Sequence, residues 1–344
     1  MSRQFYSGRN ISSARFTRSS DSLAKPQVLI SRCLLGQDCR YDGKIFSFCE
    51  VEELKNHFQF IPICPEVKLG LSSPRPPIKL IKGKKSWLLR YSDSHICLHN
   101  EVRNIVLKYI KNFNIEAMIL KEKSPTCGPH KCKYYHPGRK GQNSHRGKTA
   151  GLLPRITKKH YPHLPLINEL QLQNARDLYY FLVKLYARFN WRKLRNNYSI
   201  AALQKFHASY KLLLLGYNRE LVDKLGRILA DQQKYSKKEL LDKYYTNFMK
   251  CLSLELNRAN WKNVILHGFG HISDNITPQQ KDAFLAKVEE FMQGNHNYLK
   301  LNDWLHRKAN KLENNYLLQQ KFLAPYPQTI NKSLKNCGTI PNPF

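Results

Sequence analysis

Between Gln27 and Phe189, four short apolar runs at residues 28–31, 60–63, 117–121 and 165–168 alternate with longer helical patterns near 49–57, 97–113, 145–160 and 171–189. Short β-type runs separated by helix-length crossovers predict an α/β fold: an open, mostly parallel sheet with helices on both faces. Pro74, Pro76 and Pro77 mark a rigid, non-helical connection after the second strand. From Asn190 onward the strand signals vanish. Residues 200–229 read as two helices broken near Gly216, and helical periods follow at 237–259, 278–293 and 297–316. The expected organisation is a disordered basic arm at 1–26, an α/β domain at 27–190, an all-α domain at 191–330 and an extended tail at 331–344. The Ser/Arg-rich opening residues also have the composition of a transit peptide, a second reading of that arm.

Three of the four strands end on a cysteine: Cys33, Cys64 and Cys127. In an open parallel sheet the carboxyl ends of the strands form the ligand crevice. Three soft thiolates meeting there suggest a metal or iron–sulfur site one ligand short of closed, leaving a position for substrate. Pro65 restricts Cys64 to an extended conformation, and Gly36 and Gly128 permit close backbone approach. Glu66 can reach the same crevice, as can Ser124, three residues before Cys127. Taken alone, Glu66 reads as a solvated carboxylate and Ser124 as a cap. Cys39 stays open between core, reserve ligand and redox partner. A local zinc set of Cys127, His130, Cys132 and His136 competes, but its one-residue gap is too short for standard spacing. Cys49, Cys97, Cys251 and Cys337 are expected as small buried hydrophobes. With no secretory apolar region at the start, nine cysteines in this length point to a reducing, cytoplasmic setting.

The chain carries 57 Lys+Arg against 25 Asp+Glu, a net charge of +32 over 344 residues. That excess implies a polyanionic partner. No apolar run is long enough to span a bilayer, and the charge is spread over most of the chain, so nucleic acid is favoured over a membrane. Residues 121–160 hold eleven Lys/Arg against the single acid Glu122. Arg139, Lys140, Arg146 and Lys148 are the candidate RNA contacts there. Tyr134, Tyr135 and His136 are candidates for stacking a base, or else a packed strand or loop.

The segments SRCLLGQDCRYDGK, CPEVKLGLSSPRPP, KSPTCG and RGKTAGLL, in that order, resemble the thiouracil desulfidase (TudS) family from about Val28 to Leu170. FHASYKLLLLGYNRELVDKLGRIL, NVILHGFGHISDNITPQQK and YLLQQKFLAPYPQ resemble the helical domain typified by the bacterial YbgA protein. Fusions of the two are similar to RudS-type desulfidases. The resemblance implies a 4Fe–4S cluster held by Cys33, Cys64 and Cys127, with catalytic assistance from Glu66 and Ser124. It implies a non-redox enzyme that replaces the sulfur of 4-thiouridine in tRNA by oxygen. Two alternatives remain: desulfidation of free thiopyrimidine bases or nucleosides, and a nucleic-acid-binding iron–sulfur redox sensor without enzymatic activity.

Overall fold

The computed structural model describes residues 25–83, 86–91, 97–137, 144–295 and 297–344. The expected N-terminal arm and two of the candidate RNA contacts, Arg139 and Lys140, lie outside them. Strands β1 (Gln27–Ser31) and β2 (Gln59–Ile63) form in the first two apolar runs. Two further strands, β3 (Ile78–Lys82) and β4 (Trp87–Tyr91), precede β5 (Ile115–Leu120). Then come β6 (Cys132–His136), β7 (Ser144–Thr149) and β8 (Leu166–Asn168). The four expected strands make one parallel sheet in the order β2-β1-β5-β8. Every residue of β1 and β5 is buried, as befits central strands covered on both faces.

Period-2 alternation divides the side chains between two cores. Val28, Ile30, Ala117 and Ile119 point to one face, where helices α1 (Cys49–Leu54) and, further on, Ala175–Asn196 cover them. Leu29, Met118 and Leu120 point to the other. There they meet α3 (His99–Asn112) and α4 (Leu152–His160), α2 being the single turn Pro65–Lys68.

The second sheet, β4-β3-β6-β7, is not in the sequence reading. Its core residues Ile78, Leu80 and Leu89 join the second face. The stretch 145–160, read as one helix, is strand β7, a break at Gly151, and then α4. The physical reason lies in pairing. Ser144–Thr149 has no apolar pattern of its own and is recruited by β6 across the Tyr134–Gly147 pair. Gly147 has φ +155°, and a Cβ there would stand 3.2 Å from the Tyr134 ring.

The remainder is helical: α5 (Ala175–Asn196), α6 (Ile200–Leu215), α7 (Arg219–Ala230), α8 (Lys237–Leu252), α9 (Arg258–Gly270), α10 (Pro278–Met292), α11 (Tyr298–Lys311), α12 (Asn315–Gln319) and α13 (Thr329–Lys335). Most begin on an Asn, Ser or Thr whose side chain accepts an N–H of the first turn, with a full capping box at Ser236 and Glu239. The boundary expected between Asn190 and Trp191 falls inside α5. That helix packs on the sheet through one side and stacks Trp191 on Tyr244 at 5.6 Å through another. No described helix is long and apolar enough to cross a membrane.

The expected extended tail is partly helical, and Cys337 is joined to Cys49 by a disulfide across 288 residues. Both cysteines were expected as free, buried thiols in a reducing setting. Nothing local in the sequence signals the pairing, because it exists only once α13 docks on α1. Cys97 is exposed rather than buried, whereas Cys251 is buried as expected.

Candidate active site

Each of the three strand-end cysteines is aimed by a different local device. After β1 the chain enters a 3-10 turn, Arg32–Leu35, which carries Cys33 and ends on Gly36 at φ +72°. A side chain with a Cβ disfavours that left-handed conformation. After β2, Cys64 is extended at φ −134°, ψ 98°, as Pro65 requires, and Pro65 occupies the first turn of α2. After β5 the loop 121–131 folds around two acceptors. The Ser124 hydroxyl accepts the N–H of Cys127 at 3.0 Å and of Thr126 at 3.3 Å. The carboxylate of Glu122 accepts the N–H of Lys131 at 2.8 Å and of Lys123 at 3.1 Å, and the amide of Asn168 at 2.5 Å. Burial works against the ionised form of Glu122, but these N–H donors hold its carboxyl below the usual range.

The RGKTAGLL segment closes the cysteine loop from outside. Gly151 N–H donates to Gly128 O at 2.7 Å, Leu152 N–H to Pro125 O at 3.1 Å, and Leu153 N–H to Thr126 O at 2.8 Å. The orphan donors at the start of α4 are thereby satisfied by the loop that presents Cys127. A Cβ on Gly151 would stand 2.8–3.0 Å from the carbonyl oxygens of Pro125, Thr126 and Ser124.

The three cysteines line one cavity of about 720 Å³ together with Glu66, Ser124 and Cys39. Its far wall comes from the second sheet, through Lys79 of β3, Cys132, Lys133 and Tyr135 of β6, and Lys148 of β7. Of the three stacking candidates only Tyr135 lines the cavity; Tyr134 packs edge-on against Trp87 with centroids 5.3 Å apart. Arg146 is exposed on β7 and does not line it.

Glu66 is buried rather than solvated. One oxygen accepts from Arg75 Nε at 2.9 Å and Nη2 at 2.5 Å, and the other from the Thr126 hydroxyl at 2.7 Å. Arg75 also donates to Cys39 O at 3.0 Å and Ser72 O at 2.9 Å. One arginine therefore ties together the Cys64 turn, the Cys39 loop and the proline-rich connection. The sequence reading missed Arg75, Thr126, Glu122 and Gly151. Arg75 had a signal, as a cation between two prolines in a motif that also supplies Cys64.

Three of the cavity thiols, Cys39, Cys64 and Cys127, are poor acids as they stand. A hydrogen bond with Cys33, reinforced by burial, pushes Cys39 up to about 11. A hydrogen bond with Cys39 and burial push Cys64 up further, and burial does the same to Cys127. A soft cation would displace these protons on binding, since only thiolates ligate. The donor set fits an iron–sulfur cluster: several soft sulfurs line one cavity. No three His, Cys, Asp or Glu side chains among the described residues are grouped closely enough to hold a single metal ion, which applies to the local zinc set and to the three strand-end cysteines alike.

The fold and cavity define an α/β protein with a thiol-lined site at the carboxyl edge of a parallel sheet and a helical region behind it. The profile of the family described as 2-thiouracil desulfurase matches residues 28–169. That of the family described as protein of unknown function DUF1722 matches residues 211–327. YbbK of Bacillus subtilis (strain 168) is 33% identical over 109 residues, covering 29% of this chain and 72% of that protein. YbgA of Escherichia coli (strain K12) is 23% identical over 164 residues, covering 46% of this chain and 94% of that protein. A solved structure, the [4Fe-4S]-dependent thiouracil desulfidase TudS, shares 26% identity over 43% of this chain and 93% of that one, with a TM-score of 0.34. The chain belongs to the 2-thiouracil desulfurase family, with a YbgA-like DUF1722 region following the desulfurase region.

Proposed function

We propose that this protein is a 4-thiouridine desulfidase acting on tRNA, with a 4Fe–4S cluster held by Cys33, Cys64 and Cys127. The carrying observation is the charge of the cavity wall. Arg32, Lys79, Lys123, Lys131, Lys133 and Lys148 line it with no carboxylate partner among the described residues. Its two carboxylates are already engaged, Glu66 by Arg75 and Glu122 by backbone N–H groups. A neutral thiobase gives six cations without a carboxylate partner nothing to neutralise. A nucleotide chain does, because phosphate contacts dominate affinity and position the strand.

A cluster with three thiolate ligands supplies a thiophilic Lewis acid with one iron open to a thiocarbonyl sulfur. This chain's own residues do the rest. Tyr135 stands on the wall opposite the thiols with Lys79 over its ring at 5.3 Å, so an extruded base would stack there by displacing that ammonium. Glu66 accepts a proton from the attacking water, with Arg75 and Thr126 fixing the direction of its lone pairs. The Ser124 hydroxyl already accepts two backbone N–H groups, so its own hydrogen is left to donate to the ring. Water supplies the oxygen that replaces sulfur, sulfide leaves, and no net electron transfer occurs. The basic helical region extends the phosphate-binding surface.

The test is anaerobic reconstitution followed by loss of the near-ultraviolet absorbance of 4-thiouridine in tRNA, with free 4-thiouracil in parallel. The tRNA should be turned over, with a salt slope of roughly −0.7 to −0.9 per phosphate contact. Reversing Lys79, Lys133 and Lys148 to Glu should flatten that slope and raise KM for tRNA. Salt-independent turnover of the free base at equal efficiency would assign the free-base reaction instead. Binding of duplex DNA without any desulfidation would assign the sensor.

A further inference from the structure

Five thiols line the cavity: Cys132 stands on the far wall, and Cys39 is a fourth thiol beside the three strand-end cysteines. Cys39 is 2% exposed and lines it with Cys33, Cys64 and Cys127. A buried free cysteine is ordinarily a small hydrophobe among apolar neighbours. Cys39 instead shares the cavity wall with the sulfurs of Cys33, Cys64 and Cys127. Its carbonyl takes Arg75 Nη2 at 3.0 Å and stands 3.8 Å from Cys64 Sγ. Residues 37–48 around it form no helix or strand, so a shift of the Cys39 sulfur by one atomic diameter breaks no ladder or helical turn. Exposure divides the other three. Cys33 and Cys64 are only part-buried, while Cys127 is 7% exposed. Part-exposed thiols are the ones oxidants reach. The buried fourth thiol lines the same cavity as both of the vulnerable ones, and its carbonyl is the neighbour of Cys64 Sγ.

We propose that Cys39 is a reserve ligand, able to take the place of Cys33 or of Cys64 on the cluster but not that of Cys127. This rests on the cluster reading above. The exchange needs no oxidant or reductant: the Cys39 thiol gives up its proton and its sulfur binds the iron left without a ligand.

The experiment is anaerobic reconstitution of the full chain, with iron and acid-labile sulfide per chain and the resonance spectrum of the reduced cluster as readouts. Cys39→Ala should hold as much iron as wild type. Cys33→Ala and Cys64→Ala should each keep about half or more, with altered spectra. Cys33→Ala/Cys39→Ala, Cys64→Ala/Cys39→Ala and Cys127→Ala should fall to about a tenth or less. The near-isosteric Cys33→Ser and Cys64→Ser, with and without Cys39→Ala, repeat the comparison should an alanine variant fail to fold. Single variants as empty as the doubles would overturn the inference. So would doubles as full as the singles, or a Cys39→Ala protein that loses iron by itself. A wild type that takes up no iron sinks the cluster reading, and this inference with it; a loaded wild type with empty single variants sinks only this inference.

Discussion

Arg75→Met tests the framework of the site. The Arg75 side chain is 4% exposed and its guanidinium makes four N–H···O contacts, two to Glu66 and one each to Cys39 O and Ser72 O. With the charge centres about 4 Å apart and an effective dielectric constant of about 20, the Glu66–Arg75 attraction is about 4 kcal/mol. Removing one partner of such a pair leaves a buried charge uncompensated, a loss of about 3–5 kcal/mol. For a domain of about 150–250 residues that lowers Tm by roughly 6–20 °C. Adding Glu66→Gln to Arg75→Met removes the orphaned charge and should restore about 1–3 kcal/mol. Arg75→Lys should fall between, because one ammonium cannot serve three acceptors in the fork geometry. The assay is thermal unfolding of wild type, the single variants and the double, without iron so that ligation does not mask the difference. An Arg75→Met protein within about 1 kcal/mol of wild type, or a double variant that loses the sum of the singles, would refute the coupling.

Gly151→Ala should push its Cβ into the carbonyls of Pro125, Thr126 and Ser124, cost about 1–3 kcal/mol and reduce iron uptake through Cys127; Gly226→Ala, with open space around it, is the control. Reducing Cys49–Cys337 should destabilise the chain by about 2–5 kcal/mol, given the 288-residue separation, and a Cys49→Ala/Cys337→Ala protein should no longer respond to reductant in a melting assay. Burial, with Lys211 nearby, lowers His207 to about 4, and Tyr244 OH lies 3.0 Å from its ring. The folded pKa lies below the ordinary 6.5, so the unfolded chain binds the extra proton. Stability should therefore fall as pH drops from about 6.5 to 4, and His207→Gln should shallow that slope in Tm against pH.

The parallel sheet was legible because its strands carry their own signal: β1 and β5 are buried on both faces, so their apolar runs are nearly continuous. The helical region was legible from its helical periods; the caps at Asn174, Ser199, Asn218, Ser236 and Asn257 are local signals of the same kind that the reading did not use. The three cysteines could be placed together because topology alone brings the ends of adjacent parallel strands to one edge. What the sequence could not carry was anything decided by a partner distant in the chain. Ser144–Thr149 is a strand because β6 pairs with it. Cys49 and Cys337 are joined because α13 docks on α1. Glu66 and Ser124 were placed at the crevice by their spacing from Cys64 and Cys127, but the partners of Glu66, Arg75 and Thr126, and the capping of Thr126 and Cys127 by Ser124 belong to the folded loop. Cys39 could not be assigned, because the distance between sulfurs on separate loops is set by how those loops fold back and not by their spacing. Periodicity and capping are local and are written in consecutive residues; pairing, ion partners and thiol contacts belong to the packed molecule, and only tertiary structure decides them.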